Sequence, residues 1–190
     1  AIELLSHVDC DKVFITVTDS TATGDDRAFP AIPEKTRFLD ISERSSEGIK
    51  NYSYLGSLKS LAYLHVNTVC GREFDIGLIK GNAGLVHLVM SMQKLKNPSM
   101  LGELRELRQL DLSWCKGLQD IAFVGELANL ERLIINVTDV SYLSPIQNLR
   151  HITYVDASST ELSLLPQKSV DGLRKLNIMC TKLTKDDVAA

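Results

Sequence analysis

The sequence predicts an α/β fold: a right-handed solenoid, curved like a horseshoe or an arc, with a parallel sheet of about eight short strands on its concave face. One apolar frame recurs along almost the whole chain, and successive copies start 21 to 25 residues apart, near residues 12, 36, 61, 85, 107, 130, 152 and 173. Within each copy, apolar residues first alternate with polar ones and then occupy every third position. A repeat of this length is too short for a strand–helix–strand unit, and its copies must stack to bury their apolar edges.

The alternating part of each copy predicts a strand with one buried face. In the copy that starts at Leu107, the side chains of Leu110 and Leu112 are expected to point inward, and those of Gln109 and Asp111 outward. Because the copies stack side by side, their strands form one parallel sheet whose outward residues line the concave face.

The part with a period of three predicts 3-10 turns or short helical segments that return the chain along the convex face. The run Val140, Leu143, Ile146, Leu149 shows this period clearly. Two returns, residues 18–35 and 70–84, are rich in polar residues or glycine and are expected to be long and irregular.

The residue at the corner after each strand is small and polar in several copies. Such side chains can hydrogen-bond the turning backbone, and a thiol does so weakly. The corner residues are Cys115, Thr138, Thr160 and Thr181. The four cysteines of the chain are scattered, so we expect reduced and mostly buried thiols.

Residues 1–190 are expected to form a single repeat domain. Neither end shows the polar cap that shields the terminal core of a solenoid. The sequence is therefore expected to be a slice of a longer array, or its ends are expected to be covered by a partner.

The segment from Leu107 to Cys115 fits the pattern L-x-x-L-x-L-x-x-C, and the copy that follows it contains the return Leu143-Ser144-Pro145-Ile146. This pattern resembles the short, roughly 22-residue class of leucine-rich repeats, which includes the Sds22-like regulators of protein phosphatase 1 and the bacterial internalins. The resemblance implies a protein-binding solenoid. The Sds22-like class implies an intracellular scaffold or regulatory subunit, and the internalins imply a secreted or surface-exposed adhesin.

The concave face is the predicted binding site. Aromatic and aliphatic side chains occupy outward strand positions that would be polar in a plain scaffold, and exposed apolar patches with Trp, Tyr and Arg are typical of interaction sites. The alternative is that these side chains pack on one another along the sheet and only stabilise it. The predicted partner-binding residues are Phe38, Asp40, Tyr63, His65, His87, Val89, Gln109, Asp111, Trp114, Arg132, Ile134, Tyr154 and Asp156.

His65 and His87 are the only pair that suggests a metal site. In the repeat frame they lie diagonally on adjacent strands, about 7–8 Å apart, and no third ligand accompanies them. We therefore expect contact residues on a binding face, and neither a metal nor a cofactor. The sequence also holds no G-x-S-x-G, P-loop, H-E-x-x-H or G-x-G-x-x-G motif, so no enzymatic activity is expected.

Charge and hydropathy narrow the class of partner. Lys and Arg number 21 and Asp and Glu 24, which gives a net charge of −3 and no basic footprint for nucleic acid. No apolar run is long enough to insert into a membrane.

The predicted function is therefore a non-enzymatic protein–protein interaction module, acting as a cytoplasmic scaffold or regulatory subunit. A secreted or surface-exposed adhesin or receptor remains an alternative, as does a regulatory segment of a larger signalling enzyme. The two N-glycosylation sequons, at Asn51 and Asn136, are interpreted as fortuitous.

Overall fold

The computed structural model describes residues 11–17, 32–43, 52–68 and 73–189, and in these ranges the repeats form a solenoid. The strands in chain order are β1 (Lys12–Val17), β2 (Phe38–Glu43), β3 (Tyr63–Thr68), β4 (Glu73–Asp75), β5 (His87–Ser91), β6 (Lys94–Lys96), β7 (Gln109–Asp111), β8 (Arg132–Ile134), β9 (Tyr154–Asp156) and β10 (Lys175–Asn177). Eight of them form one parallel sheet in the order β1-β2-β3-β5-β7-β8-β9-β10, and β4 pairs with β6 in a second, two-stranded sheet. The prediction of one parallel sheet with about eight strands is confirmed.

Neighbouring strands pair in the frame that the repeat predicts, with one exception. Tyr63 lies opposite His87, and the same row continues without offset through β10. In β1, however, Phe14 lies opposite Asp40, two residues out of the predicted frame that aligned it with Phe38. A shift of two residues is one full period of a strand, so the same side chains stay on the same face and the sequence pattern does not distinguish the two registers.

Segments of 3-10 helix occur in five of the described returns, as predicted, and not in the return between β9 and β10. They span Ser53–Ser57, Ile76–Leu78, Pro98–Glu103, Ala122–Glu126 and Ser144–Asn148. Each directs at least one fully or almost fully buried apolar side chain inward, such as Leu55, Leu101 or Ile146. The described part of the second irregular return, residues 73–84, is more regular than expected because it contains β4 and a 3-10 turn. Residues 18–31 and 70–72 lie outside the described residues. A short helix, α1 (Lys185–Ala189), follows β10.

The core lies between the sheet and the returns. Leu110, Leu112 and Leu133 are at most 1% exposed, as the alternating pattern predicts. Burying a leucine side chain of this kind stabilises the fold by about 1.5–3 kcal/mol, so successive copies are held together mainly by their shared apolar layer.

Corner residues fix the bend after each strand. Thr138, Thr160 and Thr181 each donate a hydrogen bond through Oγ1 to the carbonyl oxygen three residues earlier, at 2.7 to 2.9 Å. Cys115 instead donates through Sγ to the carbonyl oxygen of Met90 in the preceding copy, at 2.9 Å. Burial raises the pKa of the Cys115 thiol to about 12. Cys180 differs from the expectation for buried thiols because its side chain is exposed.

Among the described residues, no helix has the length and apolar character needed to cross a membrane.

Candidate functional site

The outward side chains of the main sheet form parallel rows across the strands. All the residues predicted for the site lie in these rows except Trp114, which follows the internal strand β7. We name two of these rows by the position that their residues occupy in the repeat: the third row and the fifth row. The third row contains Lys12, Phe38, Tyr63, His87, Gln109, Arg132, Tyr154 and Lys175, and the fifth row contains Phe14, Asp40, His65, Val89, Asp111, Ile134, Asp156 and Asn177. The structure thus brings the predicted residues onto one surface, and their role in binding stays a prediction.

At the β1 end, aromatic rings pack against one another along the sheet. The ring centroids of Phe38 and Tyr63 are 4.1 Å apart with the planes 7° from parallel, and those of Tyr63 and His87 are 5.9 Å apart. Phe14 contacts Phe38 at 5.2 Å and is 67% exposed. Burial, together with the negative charges of Asp40 and Asp111, raises the pKa of Tyr63. The aromatic stack therefore stabilises the sheet, as the alternative interpretation supposed, while its half-buried rings still form part of the outer surface.

A second cluster of contacts lies on β8, β9 and β10. The guanidinium carbon of Arg132 lies 4.3 Å from the ring centroid of Tyr154, and the Nζ atom of Lys175 lies 5.4 Å from the same centroid. These are cation–π distances, and cations so placed keep their hydrogen-bonding groups available. Within the described ranges, neither Arg132 nor Lys175 forms an ion pair.

His65 pairs with an aspartate rather than with the second histidine. Its Nδ1 atom is 3.0 Å from Oδ2 of Asp40, which lies directly opposite on β2. His87 lies opposite Tyr63, which makes the two histidines diagonal neighbours. In the part of the chain that the structure describes, no group of three or more His, Cys, Asp or Glu side chains could hold a metal ion.

Aspartates of the fifth row are fixed by serines two residues later in the chain. Oδ1 of Asp156 accepts hydrogen bonds from the backbone N–H of Ser158 at 3.0 Å and from its hydroxyl at 2.7 Å. Asp111 and Ser113 repeat both contacts, and the Ser42 hydroxyl is 3.4 Å from Asp40. Burial alone would raise the pKa of Asp156, but the bonds from Ser158 and Asn177 and the charge of Lys175 hold it below its ordinary value. The sequence analysis did not identify these pairs, although the spacing Asp-x-Ser indicates them.

Strand β8 interrupts this pattern. Its fifth-row residue is Ile134, so the side chain of Asn136, two residues later, has no carboxylate to bond. Oδ1 of Asn136 is enclosed and has no hydrogen-bond partner among the described residues. Thr138, the third residue of the sequon at Asn136, is 3% exposed and its hydroxyl is bonded to Ile135. The other sequon residue, Asn51, lies outside the described residues.

In five copies, the residue at the eighth position of the repeat adopts a left-handed backbone conformation. Met92, Trp114, Val137, Ser159 and Cys180 have φ angles of 55° to 63°. This conformation costs a residue other than glycine about 1–2 kcal/mol. Trp114 is the bulkiest of the five and is 51% exposed, and its backbone N–H donates to the carbonyl oxygen of Asn136 at 2.9 Å. No hydrogen bond to its indole and no ring contact occurs among the described residues. Sequence reasoning found Trp114 as a face residue and missed the backbone conformation that presents it.

Several solved structures share this architecture. An internalin C2 from Listeria monocytogenes matches with a TM-score of 0.63 and 20% identity over 79% of this chain. The plant peptide hormone receptor RGFR1, in complex with RGF2, matches with a TM-score of 0.63 and 22% identity over 89% of this chain. A leucine-rich-repeat protein from Leptospira interrogans matches with a TM-score of 0.57 and 17% identity over 82% of this chain. This is a leucine-rich-repeat fold.

The leucine-rich-repeat neighbours are longer than this chain, which covers 62% of the internalin C2 chain, 27% of the receptor chain and 47% of the Leptospira chain. At these identities the likeness establishes the fold alone. No protein-family model matches the sequence, and no curated protein matches it either.

Proposed function

We propose that this leucine-rich-repeat chain is a non-enzymatic recognition module that binds a protein partner on its concave face. The observation that carries the proposal is Trp114: a large aromatic side chain, half exposed, on a left-handed backbone where another copy has Ser159. Four other copies have the same backbone conformation at this position, so the conformation belongs to the repeat and the side chain is what distinguishes Trp114. Tryptophan is among the residue types most enriched at binding hot spots.

The sheet offers a partner a surface that is already ordered. Parallel strands hold the third and fifth rows in place, and the aromatic stack at Phe38, Tyr63 and His87 restricts the rings further. A preordered surface loses little conformational entropy on binding, so more of the contact energy appears as affinity. Stacking and binding are therefore compatible roles for these rings.

We further propose a scaffold or regulatory subunit that works in the cytoplasm. Cys115 and Cys180, the two described cysteines, are free thiols, and Cys180 is exposed. Exposed free thiols persist in reducing compartments and are unusual in secreted proteins, which supports the cytoplasm over the cell surface.

Affinity capture followed by mass spectrometry tests the binding role. The baits are the wild type, the double variant Trp114→Ala/Tyr63→Ala and the control variant Leu164→Ala, which removes a 64% exposed leucine outside the main sheet. Thermal unfolding of each bait establishes that it is folded. We expect the wild type and Leu164→Ala to retain a common set of proteins that the double variant loses. Recovery of the same proteins by all three baits would refute the concave-face assignment.

A further inference from the structure

We propose that the outward side chains Arg132, Ile134 and Asn136, here called the β8 stripe, form the specificity-determining centre of the concave face. The ligand that they fit is an extended segment of a protein partner whose alternate side chains are acidic, apolar and amide. This inference rests on the proposed function and names the chemistry of the partner at that same surface.

Among the described residues, the side chains of the β8 stripe form no hydrogen bond and no ion pair, unlike those of the neighbouring copies. On β7 and β9, the fifth-row carboxylates are occupied by Ser113 and Ser158. On β8 the fifth-row residue is isoleucine, and Oδ1 of Asn136, two residues later, is enclosed with no hydrogen-bond partner among the described residues. An enclosed amide oxygen that makes no hydrogen bond costs about 1–3 kcal/mol, and a partner that supplies the bond recovers this energy.

The cationic end of the stripe favours an acidic group. Arg132 lies over the ring of Tyr154 and has no ion pair in the described ranges, and Lys175 approaches the same ring from the next strand. The third row contains Lys12, Arg132 and Lys175 and no carboxylate, whereas the fifth row contains Asp40, Asp111 and Asp156. A carboxylate of the partner is therefore attracted at the level of Arg132 and repelled at the level of Ile134, which orients the bound segment.

The middle of the stripe favours an apolar side chain. Ile134 is flanked by Asp111 on β7 and Asp156 on β9, and both carboxylates already accept hydrogen bonds from their own serines. Trp114 bounds the far end of the stripe, because its backbone is bonded to Asn136. An aliphatic side chain of the partner can pack on Ile134 between these groups and lose its contact with water.

The spacing of the stripe selects an extended ligand. Alternate residues of a strand lie about 6.6–7 Å apart on the same face, and an extended peptide has the same spacing. Parallel-strand pairing continues past Ile134, since the N–H of Ile135 donates to the carbonyl oxygen of Asp156 at 2.8 Å, so Asn136 keeps this spacing. Rotation about the terminal torsion of Asn136 is soft, and its amide can then exchange two hydrogen bonds with an amide side chain of the partner.

Two synthetic peptides test the proposal by titration into the isotope-labelled protein, followed through backbone and indole N–H signals in NMR spectra. The first is acetyl-Thr-Glu-Thr-Leu-Thr-Gln-Thr-amide, and the second has Lys in place of Glu. We expect the Glu peptide to shift signals of β8, Asn136 and Trp114 and to bind about tenfold more tightly than the Lys peptide, as a charge-assisted contact to arginine requires. Arg132→Ala should abolish that preference, and Asn136→Ala should weaken the Glu peptide several-fold. The matched control Arg150→Ala removes an exposed arginine between strands and should change neither.

Equal binding of the two peptides, shifts confined to other strands, or no shifts at millimolar peptide would overturn the proposal. Capture with a further bait, Arg132→Glu, distinguishes a failure of this proposal from a failure of the proposed function. If Trp114→Ala/Tyr63→Ala loses the captured proteins while Arg132→Glu retains them, the concave face binds and the β8 stripe is not its centre. If the double variant retains all of them, the proposed function itself fails.

Discussion

Asn82 offers the sharpest test of how neighbouring copies are held together on the return side. It is fully buried, and its Nδ2 donates to the carbonyl oxygens of Leu55 at 3.1 Å and Leu58 at 2.8 Å, both in the preceding copy. The first of these carbonyls belongs to the 3-10 segment Ser53–Ser57 and the second follows it directly. One amide therefore ties two successive returns together.

The expected loss on Asn82→Ala is about 2 kcal/mol of unfolding free energy. Two hydrogen bonds contribute about 1 kcal/mol each, and the void left by the amide adds about 1 kcal/mol. Against this, Oδ1 of Asn82 has no hydrogen-bond partner among the described residues, so its removal recovers about 1 kcal/mol. The two carbonyls keep one backbone partner each, since Leu58 N–H and Leu61 N–H also donate to them, which limits the damage.

Asn82→Asp should cost more, at least about 3 kcal/mol. The substitution keeps the size of the side chain and replaces the donor by an oxygen that faces two carbonyl oxygens inside the protein. A carboxyl group in that place either buries a charge or leaves polar atoms unpaired.

Urea unfolding at neutral pH measures these losses, with Asn129→Ala as the control. Asn129 makes a single, exposed hydrogen bond to the carbonyl oxygen of Arg105, so its loss should stay below about 1 kcal/mol. Hydrogen exchange locates the effect: in an array stabilised by nearest neighbours, Asn82→Ala should speed exchange in residues 52–68 and leave 109–156 unchanged. A loss no larger than that of Asn129→Ala, or an Asn82→Asp variant as stable as Asn82→Ala, would refute the reasoning.

Three further outcomes follow from single contacts. Iodoacetamide at pH 8 should label exposed Cys180 and spare native Cys115, whose pKa burial raises to about 12; equal labelling in peptide mass spectra would contradict this. Val137→Asn should raise the unfolding free energy by about 1 kcal/mol in urea titrations, because φ is 55° and asparagine tolerates that conformation better than a β-branched residue; a loss would show that packing outweighs strain. Asp156 has a lowered pKa, so its contribution to stability is present above its unfolded pKa of about 3.9 and is lost as the pH falls through the folded pKa. Ser158→Ala should raise that pKa in an NMR titration of the carboxyl carbon, and an unchanged value would exclude Ser158 as its cause.

The sequence predicts the sheet well because the inward positions of every strand must be apolar, and this requirement gives the sequence a regular period. Replacing Leu110 or Leu133 by a polar residue would remove contacts between copies, so the repeat pattern can be recognised wherever the core is continuous. The register of β1 was beyond this reasoning, because a shift of two residues leaves Phe14 on the same face. The regular return at 73–84 was missed for a related reason: glycines indicate turns and do not say which backbone hydrogen bonds form between them.

The candidate site was predictable in its rows and less so in its contacts. Tyr63, His87 and Arg132 face outward because their positions in the repeat require it. Whether a ring stacks on its neighbour or a guanidinium lies over Tyr154 depends on side-chain torsions that the repeat does not determine. The left-handed backbone at Trp114 could not be predicted either, because the five residues with that conformation at the equivalent position of their copies share no side-chain property.

A repeat array makes departures from its own pattern informative in a way that an irregular fold does not. Each strand sits in nearly the same surroundings, so a side chain that breaks the pattern is explained neither by burial nor by strand pairing. Ile134 is such a departure: an aspartate there could accept hydrogen bonds of the kind that Asp111 and Asp156 accept on either side, and isoleucine gives up that stabilisation. Departures from local rules of this kind concentrate at functional sites, so the stability given up at Ile134 favours β8 as the part of the concave face that contacts the partner.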